Sequence, residues 1–123
     1  MSDIELGELR GRLGEPGLVL LDVRRREEYT GAVAAPCDPR PGRIPGSRHV
    51  DVALLFEAPD ADAVRALVGA EAGSEVIAYC HSGSRSAMAV HVLRAAGYDA
   101  RNYVGSWHEW SRAAELPVET GRV

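Results

Sequence analysis

Short apolar runs alternate along this chain with segments whose apolar residues recur at helical spacing. Residues 18–23 and 76–79 are dominated by apolar side chains, which is typical of central parallel strands that are buried on both faces. Shorter strands are predicted at 47–51 and 99–104. Because strands alternate with helical segments, the pattern predicts an α/β fold, a parallel sheet with helices on both faces.

The helical segments differ in how clearly they are marked. A first helix is predicted from a cap at Ser2 or Asp3 to the turn at 14–17. Its apolar stripe consists of Ile4, Leu6, Leu9 and Leu13. A later helix begins at Asp60, and the residues predicted to share its apolar face are Ala63, Leu67 and Ala70.

Three further helices are predicted at 25–30, 53–56 and 84–96, the last ending before Gly97. Ser106 and Glu109 have the spacing of a capping box, which predicts a final helix with Trp107 and Trp110 one turn apart. Residues 31–46 are rich in proline and glycine and are predicted to form a long irregular loop.

Composition places the chain among compact globular proteins. It has 123 residues, of which 46% are hydrophobic, so we expect one domain over residues 1–123. The net charge is −4 and the basic residues are dispersed, which disfavours nucleic acid and membranes as partners. No apolar segment reaches the roughly 18 residues of a membrane span, and residues 1–6 are acidic, unlike a secretory signal. We therefore expect a cytoplasmic protein.

The two cysteines, Cys37 and Cys80, are too few for a disulfide framework. They also lack the partner spacing of a zinc site, so the sequence predicts no bound metal. At least one of them is expected to be chemically active. Cys37 lies in the irregular loop, where the pattern favours a lone thiol over a resolving partner for an oxidised Cys80.

Cys80 stands where an apolar strand passes through a small polar loop into a helix. Open α/β sheets place their ligand crevice at this end of a strand. Small residues at 82–84 allow successive backbone amides to converge, and amides at a helix N-terminus attract anions and lower the pKa of a neighbouring thiol. Arg85 adds a positive charge to the same rim. The pattern predicts a nucleophilic thiolate at Cys80.

Four segments of the chain resemble the rhodanese-like sulfurtransferase domain, and they occur in the family's order. They are Leu-Leu-Asp-Val-Arg at 20–24 with Glu28 and Tyr29, Gly-Arg-Ile-Pro-Gly-Ser at 42–47, the loop at 80–86, and Tyr-Val-Gly-Ser-Trp at 103–107 with Glu109, Trp110 and Leu-Pro-Val-Glu-Thr-Gly at 116–121. The last segment is similar to the catalytic C-terminal half of two-domain thiosulfate and mercaptopyruvate sulfurtransferases.

The resemblance implies a five-stranded parallel sheet and a ping-pong reaction without metal or organic cofactor. Cys80 would take sulfane sulfur from a small anionic donor such as thiosulfate and pass the persulfide sulfur to cyanide or a thiol. The substrate-binding residues carried over by position are His81, Ser82, Gly83, Ser84, Arg85 and Ser86. The supporting residues are Asp22, Arg24, Glu28 and Trp107.

Two features bear on which member of the family this chain resembles. Cys80 and Arg85 enclose four residues, whereas related phosphatases and arsenate reductases enclose one more, so the resemblance favours sulfur transfer over phosphate hydrolysis. Glu28 stands where the two-domain enzymes usually have an arginine that helps to hold the donor. Its carboxylate would repel thiosulfate unless it is solvated or paired with Arg24. A noncatalytic binding or sulfur-relay module serving a protein persulfide partner is therefore the alternative function.

The remaining aromatic and imidazole side chains have weaker signals. His81 is expected to matter through its backbone more than its ring. Trp107 and Trp110 are expected in the core and the pocket wall. The other histidines, expected to be ordinary surface or cap neighbours, are His49, His91 and His108.

Overall fold

A five-stranded, all-parallel sheet organises the computed structural model, which describes residues 3–121. The strands are β1 (Asp3–Ile4), β2 (Val19–Asp22), β3 (Arg48–His49), β4 (Glu75–Tyr79) and β5 (Asp99–Tyr103). The helices are α1 (Leu6–Arg12), α2 (Arg26–Thr30), α3 (Val52–Glu57), α4 (Ala61–Val68), α5 (Ser84–Ala95) and α6 (Ser106–Trp110). The predicted α/β class and parallel sheet are confirmed.

The strand order is β1-β5-β4-β2-β3, with the two most apolar strands at or next to the centre. β2 pairs with β4 so that Leu21 lies opposite Ala78, and β4 pairs with β5 so that Ala78 lies opposite Asn102. β2 continues to β3 on one side, whereas β4 continues to β5 on the other. The carboxyl ends of β2 and β4 therefore flank the topological switch point, where α/β folds place their ligands.

Alternation along the strands divides the core into two clusters. Val76, Ala78 and Cys80 face one side of the sheet, where they pack with residues of α3, α4 and α5. Ile77 and Tyr79 face the other side, where they pack with Leu9 of α1, with α6 and with the C-terminal segment. Each of these residues of β4 and the position after it is thus covered by one of the two clusters.

The first predicted helix begins later than its pattern indicated. Asp3 and Ile4 form β1 and pair in parallel with Asn102 and Tyr103, and the helix starts only after Glu5. Ile4 is buried because it completes the sheet edge and not because it lies on a helical stripe. The proposed cap at Ser2 lies outside the described residues.

Two other local predictions are wrong. In α4 the buried side chains are Val64 and Val68, whereas Leu67 of the predicted face is exposed. β-branched valines, which are weaker helix formers, carry the packing here because they face α5. Ser106 and Glu109 do not form a capping box, since Gly105 occupies the N-cap position and no side-chain cap bond is present.

The irregular segment 31–46 is confirmed, and it is held in place by arginines. The guanidinium of Arg40 donates to the carbonyls at the end of α6 and just beyond it, which belong to Trp110, Ser111, Ala113 and Leu116. Arg43 pairs with Glu119 through two backbone hydrogen bonds and a side-chain ion pair. The loop is therefore attached to the C-terminal segment along its second half.

Among residues 3–121, no helix combines the length and the apolar character that crossing a lipid bilayer requires.

Candidate active site

The Cys80 thiol lies at the carboxyl end of β4, directly before the turn into α5. Its side chain is buried, and its Sγ accepts hydrogen bonds from the Gly83 amide at 3.1 Å and the Ser86 amide at 3.4 Å. The Ser86 hydroxyl also donates to Sγ, at 3.3 Å. Backbone amides thus converge on one sulfur, as the sequence predicted for the loop, and the Ser86 hydroxyl is a further donor that it did not predict.

These donors make the thiolate favourable in a buried position. Burial raises the pKa of Cys80, but hydrogen bonds from the Ser86 side chain and from the amides of Ser86, Gly83 and Ser82 outweigh it and hold the pKa below its ordinary value. A larger fraction of the thiol is therefore ionised near neutral pH than in a free cysteine. An anionic sulfur held by preorganised donors is suited to nucleophilic attack.

Gly83 makes the turn between strand and helix possible. Its φ of 93° is in the left-handed region, and a Cβ there would lie 2.7 Å from the Val104 carbonyl oxygen. The Gly83 carbonyl accepts a hydrogen bond from the Asn102 side chain at 3.1 Å. The neighbouring strand β5 therefore anchors Gly83, the residue whose amide donates to Cys80.

Ser106 and the first turn of α6 hold the other side of the loop. The Ser106 hydroxyl accepts a hydrogen bond from the Cys80 amide at 3.0 Å and donates to the Tyr103 carbonyl at 2.7 Å. The amides of Trp107 and His108 donate to the carbonyls of Cys80 and His81, both at 2.9 Å. Ser106 has a φ of 52°, unusual for a residue other than glycine, and this bridging position accounts for it.

Asp22 and Arg24 form a buried ion pair beneath the loop. The Arg24 guanidinium contacts the Asp22 carboxylate at 2.7 Å and donates to the Gly42 carbonyl at 2.6 Å. It also lies over the rings of Trp107 and Tyr79, at 5.1 and 5.8 Å from their centroids. The two residues thus connect the loop 31–46 to the aromatic core, and their supporting role at the site stays a prediction.

Arg85 and Glu28 pair at the rim. The guanidinium of Arg85 contacts both carboxylate oxygens of Glu28, at 3.0 and 3.4 Å. Burial raises the pKa of Glu28. Hydrogen bonds from the Arg85 side chain and the Arg25 amide lower it by more, so the net shift of this pKa is downward. Glu28 is thus an anion bound to Arg85. The alternatives considered from sequence, a solvated side chain or a pair with Arg24, are both wrong.

The other predicted site residues occupy distinct positions. Ser82 and Ser84 are exposed, and Ser84 is the first residue of α5. Trp107 is buried in the core beside Tyr79 and donates to the Arg40 carbonyl at 3.0 Å. The ring of His81 lies against the loop 31–46, where Nε2 contacts the Asp38 carboxylate at 3.0 Å.

Asn102 and Ser106 were missed as site residues. Ser106 lies within a segment that carries the family resemblance, but its spacing to Glu109 suggested a helix cap. Asn102 is a buried polar residue in a strand. A polar residue in a predicted buried strand needs a hydrogen-bonding partner. This requirement is the sequence signal that could have identified Asn102 as a site residue.

The parallel sheet, with a cysteine whose sulfur accepts several hydrogen bonds at the end of a central strand, defines a class of small α/β domains. The model of the rhodanese-like domain matches residues 5–113, and this chain belongs to that family. The predicted resemblance is thereby confirmed over most of the chain.

Three similar proteins show how the chain relates to longer and shorter family members. A probable 3-mercaptopyruvate sulfurtransferase of Pseudomonas aeruginosa is 35% identical over 96% of this chain but 44% of its own length. The crystal structure of a probable thiosulfate sulfurtransferase superposes with a TM-score of 0.81 at 44% identity, over 95% of this chain and 47% of that one. The human single-domain sulfurtransferase TSTD1 superposes with a TM-score of 0.68 at 32% identity, over 89% of this chain and 95% of its own. The chain therefore spans less than half of the first two proteins.

Proposed function

We propose that this protein is a sulfurtransferase in which Cys80 carries sulfane sulfur as a persulfide. The observation that supports this most strongly is the set of donors on Cys80 Sγ from Gly83 and Ser86. The names of the similar proteins, which are thiosulfate and mercaptopyruvate sulfurtransferases, agree with it.

The reaction proceeds by two displacements at sulfur. The Cys80 thiolate attacks the outer sulfur of thiosulfate, forming the persulfide S–S bond as the S–S bond of thiosulfate breaks and sulfite departs with the bonding electron pair. Cyanide or a thiolate then attacks the outer persulfide sulfur, and Cys80 leaves as thiolate. No external oxidant or reductant is consumed, because the transferred sulfur carries the oxidation equivalent throughout.

The hydrogen-bond donors around Cys80 Sγ stabilise the charged species of both steps. Thiolate, persulfide and the transition state between them are anionic, and the Gly83 and Ser86 donors are already oriented toward that charge. The loop 82–86 binds the donor in this scheme. The Trp107 amide holds the Cys80 carbonyl, and Asp22 and Arg24 hold the neighbouring loop 31–46. A small anionic sulfur compound is the donor class, and cyanide or a thiol is the acceptor class.

One observation favours a second candidate, a relay module that receives sulfur from a protein persulfide. Glu28 occupies Arg85 with a bidentate ion pair, so the rim arginine is already neutralised by a carboxylate. A dianion such as thiosulfate gains less attraction from that rim. A protein-borne persulfide carries a single negative charge and depends less on that attraction.

A donor comparison with thiocyanate as the readout tests the proposed function. The protein is incubated with thiosulfate, mercaptopyruvate or cysteine persulfide, and thiocyanate is measured after cyanide is added. We expect transfer by the wild type and loss of it in Cys80→Ser, because an alcohol does not ionise near pH 7. Transfer from cysteine persulfide alone supports the relay. Equal transfer by wild type and Cys80→Ser would overturn the function.

A further inference from the structure

Four potential metal ligands converge beside the Cys80 loop, although they come from three separate segments. Cys37 and Asp38 belong to the loop 31–46, His81 follows the nucleophile, and His108 lies on α6. One atom from each residue, the thiol sulfur, a carboxylate oxygen and two imidazole nitrogens, lies within 4.8 Å of all the others. The spacing of the cysteines along the chain gave no sign of this cluster.

The separations suit a tetrahedral ion. Cys37 Sγ lies 3.9 Å from both His81 Nε2 and Asp38 Oδ1, and His81 Nε2 lies 3.0 Å from that oxygen. His108 Nδ1 lies 3.9 Å from it. Metal–ligand bonds of about 2.0–2.3 Å in a tetrahedron place the ligand atoms roughly 3.3–3.6 Å apart. Shifts of up to about one ångström therefore bring the side chains into coordination.

The buried charge of Asp38 also calls for a cation. Only 2% of its side chain is exposed, and within residues 3–121 the basic side chains within 4 Å of its carboxylate are the imidazoles of His81 and His108. The chain has no lysine, and among residues 3–121 no arginine pairs with this carboxylate. A divalent ion would neutralise the carboxylate together with a Cys37 thiolate.

The backbone that presents these ligands is already fixed. Arg112 donates to the Cys37 carbonyl at 2.6 Å, and Trp107 donates to the Arg40 carbonyl at 3.0 Å. The His108 amide donates to the His81 carbonyl at 2.9 Å. Metal sites depend on such supporting contacts, because they reduce the ordering that binding requires.

We propose that Cys37, Asp38, His81 and His108 bind a divalent ion of the zinc class at the rim of the candidate active site. One thiolate, one carboxylate and two imidazoles match the ligands of Zn²⁺ and disfavour Mg²⁺ and Ca²⁺, which prefer oxygen. The ion connects loop 31–46, the Cys80 loop and the start of α6. The assignment concerns metal binding alone and does not depend on sulfur transfer.

Cobalt serves as the spectroscopic probe for the zinc site. Untagged, metal-free full-length protein is titrated with Co²⁺, and Zn²⁺ is then added to displace it. We expect one equivalent to produce the intense visible absorption of tetrahedral cobalt and a near-ultraviolet thiolate-to-cobalt band. Zinc should abolish both signals and raise the melting temperature, because it binds the folded protein.

Variants locate the ligands. Cys37→Ser should lose the thiolate band, and His108→Ala should weaken binding by about tenfold or more, since each removes one ligand. Cys80→Ser removes the other thiol and His91→Ala an exposed imidazole on α5, and both should titrate like the wild type. The site is overturned if the wild type binds no stoichiometric ion, if His108→Ala binds unchanged, or if the thiolate band follows Cys80 and not Cys37.

Discussion

At the scale of single residues, Ser86 stabilises the Cys80 thiolate more than any other residue of the loop does. Its hydroxyl and its amide both donate to Sγ, at 3.3 and 3.4 Å, and each bond favours the thiolate over the thiol. Burial acts in the opposite direction, so the low pKa of Cys80 depends on these donors. The hydroxyl is the part that a substitution removes without changing the backbone.

Ser86→Ala should therefore make Cys80 less reactive at neutral pH. A hydrogen bond to a charged group contributes about 1.5–3 kcal/mol, so we expect the alkylation rate at pH 7 to fall by about tenfold or more. The midpoint of the rate against pH should move upward, since the thiol pKa rises when the bond is lost. Iodoacetamide kinetics in a Cys37→Ser background isolate the Cys80 signal.

Ser82→Ala is the matched control, because Ser82 acts on Cys80 through its backbone amide, which alanine retains. Its pH profile should coincide with that of the parent. Coincidence of the Ser86→Ala profile with the parent as well would show that the Ser86 hydroxyl does not stabilise the thiolate.

In the proposed function, the Glu28 carboxylate offsets the positive charge that Arg85 presents to a donor. Glu28→Gln keeps the shape of the side chain and its acceptor for the Arg25 amide but removes a negative charge from the rim. We expect kcat/KM for thiosulfate to rise by about three- to tenfold at low ionic strength, with a smaller gain at high salt. Steady-state rates at two salt concentrations measure it.

Glu27→Gln provides the comparison, because Glu27 is exposed on the same helix. This substitution removes the same charge from the molecule as Glu28→Gln does. It should leave the thiosulfate rates nearly unchanged. Equal effects of the two substitutions would mean that net charge, and not the pairing with Arg85, governs donor use.

At the scale of elements, the start of α5 depends on a backbone conformation that favours glycine. Gly83 combines a left-handed φ with close approach to the Val104 carbonyl, and its own carbonyl is bound by Asn102. The strand β5 and the nucleophile loop are thus in contact through main-chain atoms. A side chain at position 83 would separate them.

Gly83→Ala should destabilise the protein by about 2–4 kcal/mol, the left-handed cost of about 1–2 kcal/mol plus the contact with Val104. Gly73 also has a positive φ, of 88°, but open space where a Cβ would stand. Gly73→Ala should therefore show only the left-handed cost. Urea unfolding of both variants measures the difference, and equal losses would show that the loop moves away from β5 without penalty.

The strands and helices also show which elements the pattern of apolar residues predicts correctly. β2 and β4 were predicted because both faces of a central parallel strand are buried, which leaves a continuous apolar run. β1 was missed because a two-residue edge strand has no periodicity of its own. The buried face of α4 was misassigned because Leu67 is apolar but exposed. The buried residues of this helix are Val64 and Val68.

At the scale of the whole molecule, the candidate site joins segments that are distant in the chain. The loop at 80–86 was predictable because its residues are consecutive. The end of a strand, the small residues of the turn and the start of a helix can all be identified from the local sequence. The contacts of Asn102 and Ser106 with that loop depend on the pairing of β4 with β5, and the pair of Glu28 with Arg85 depends on where α2 lies. Tertiary placement of this kind has no signature in residue spacing.

The central claim is that Cys80 alone carries the transferred sulfur, and intact mass spectrometry after donor treatment tests it most directly. Wild type and Cys37→Ser should each gain the mass of one sulfur atom, which cyanide removes, and peptide mapping should place it on Cys80. Cys80→Ser should gain none while its thermal melt stays close to that of the wild type. Sulfur found on Cys37, or retained by Cys80→Ser, would contradict the account.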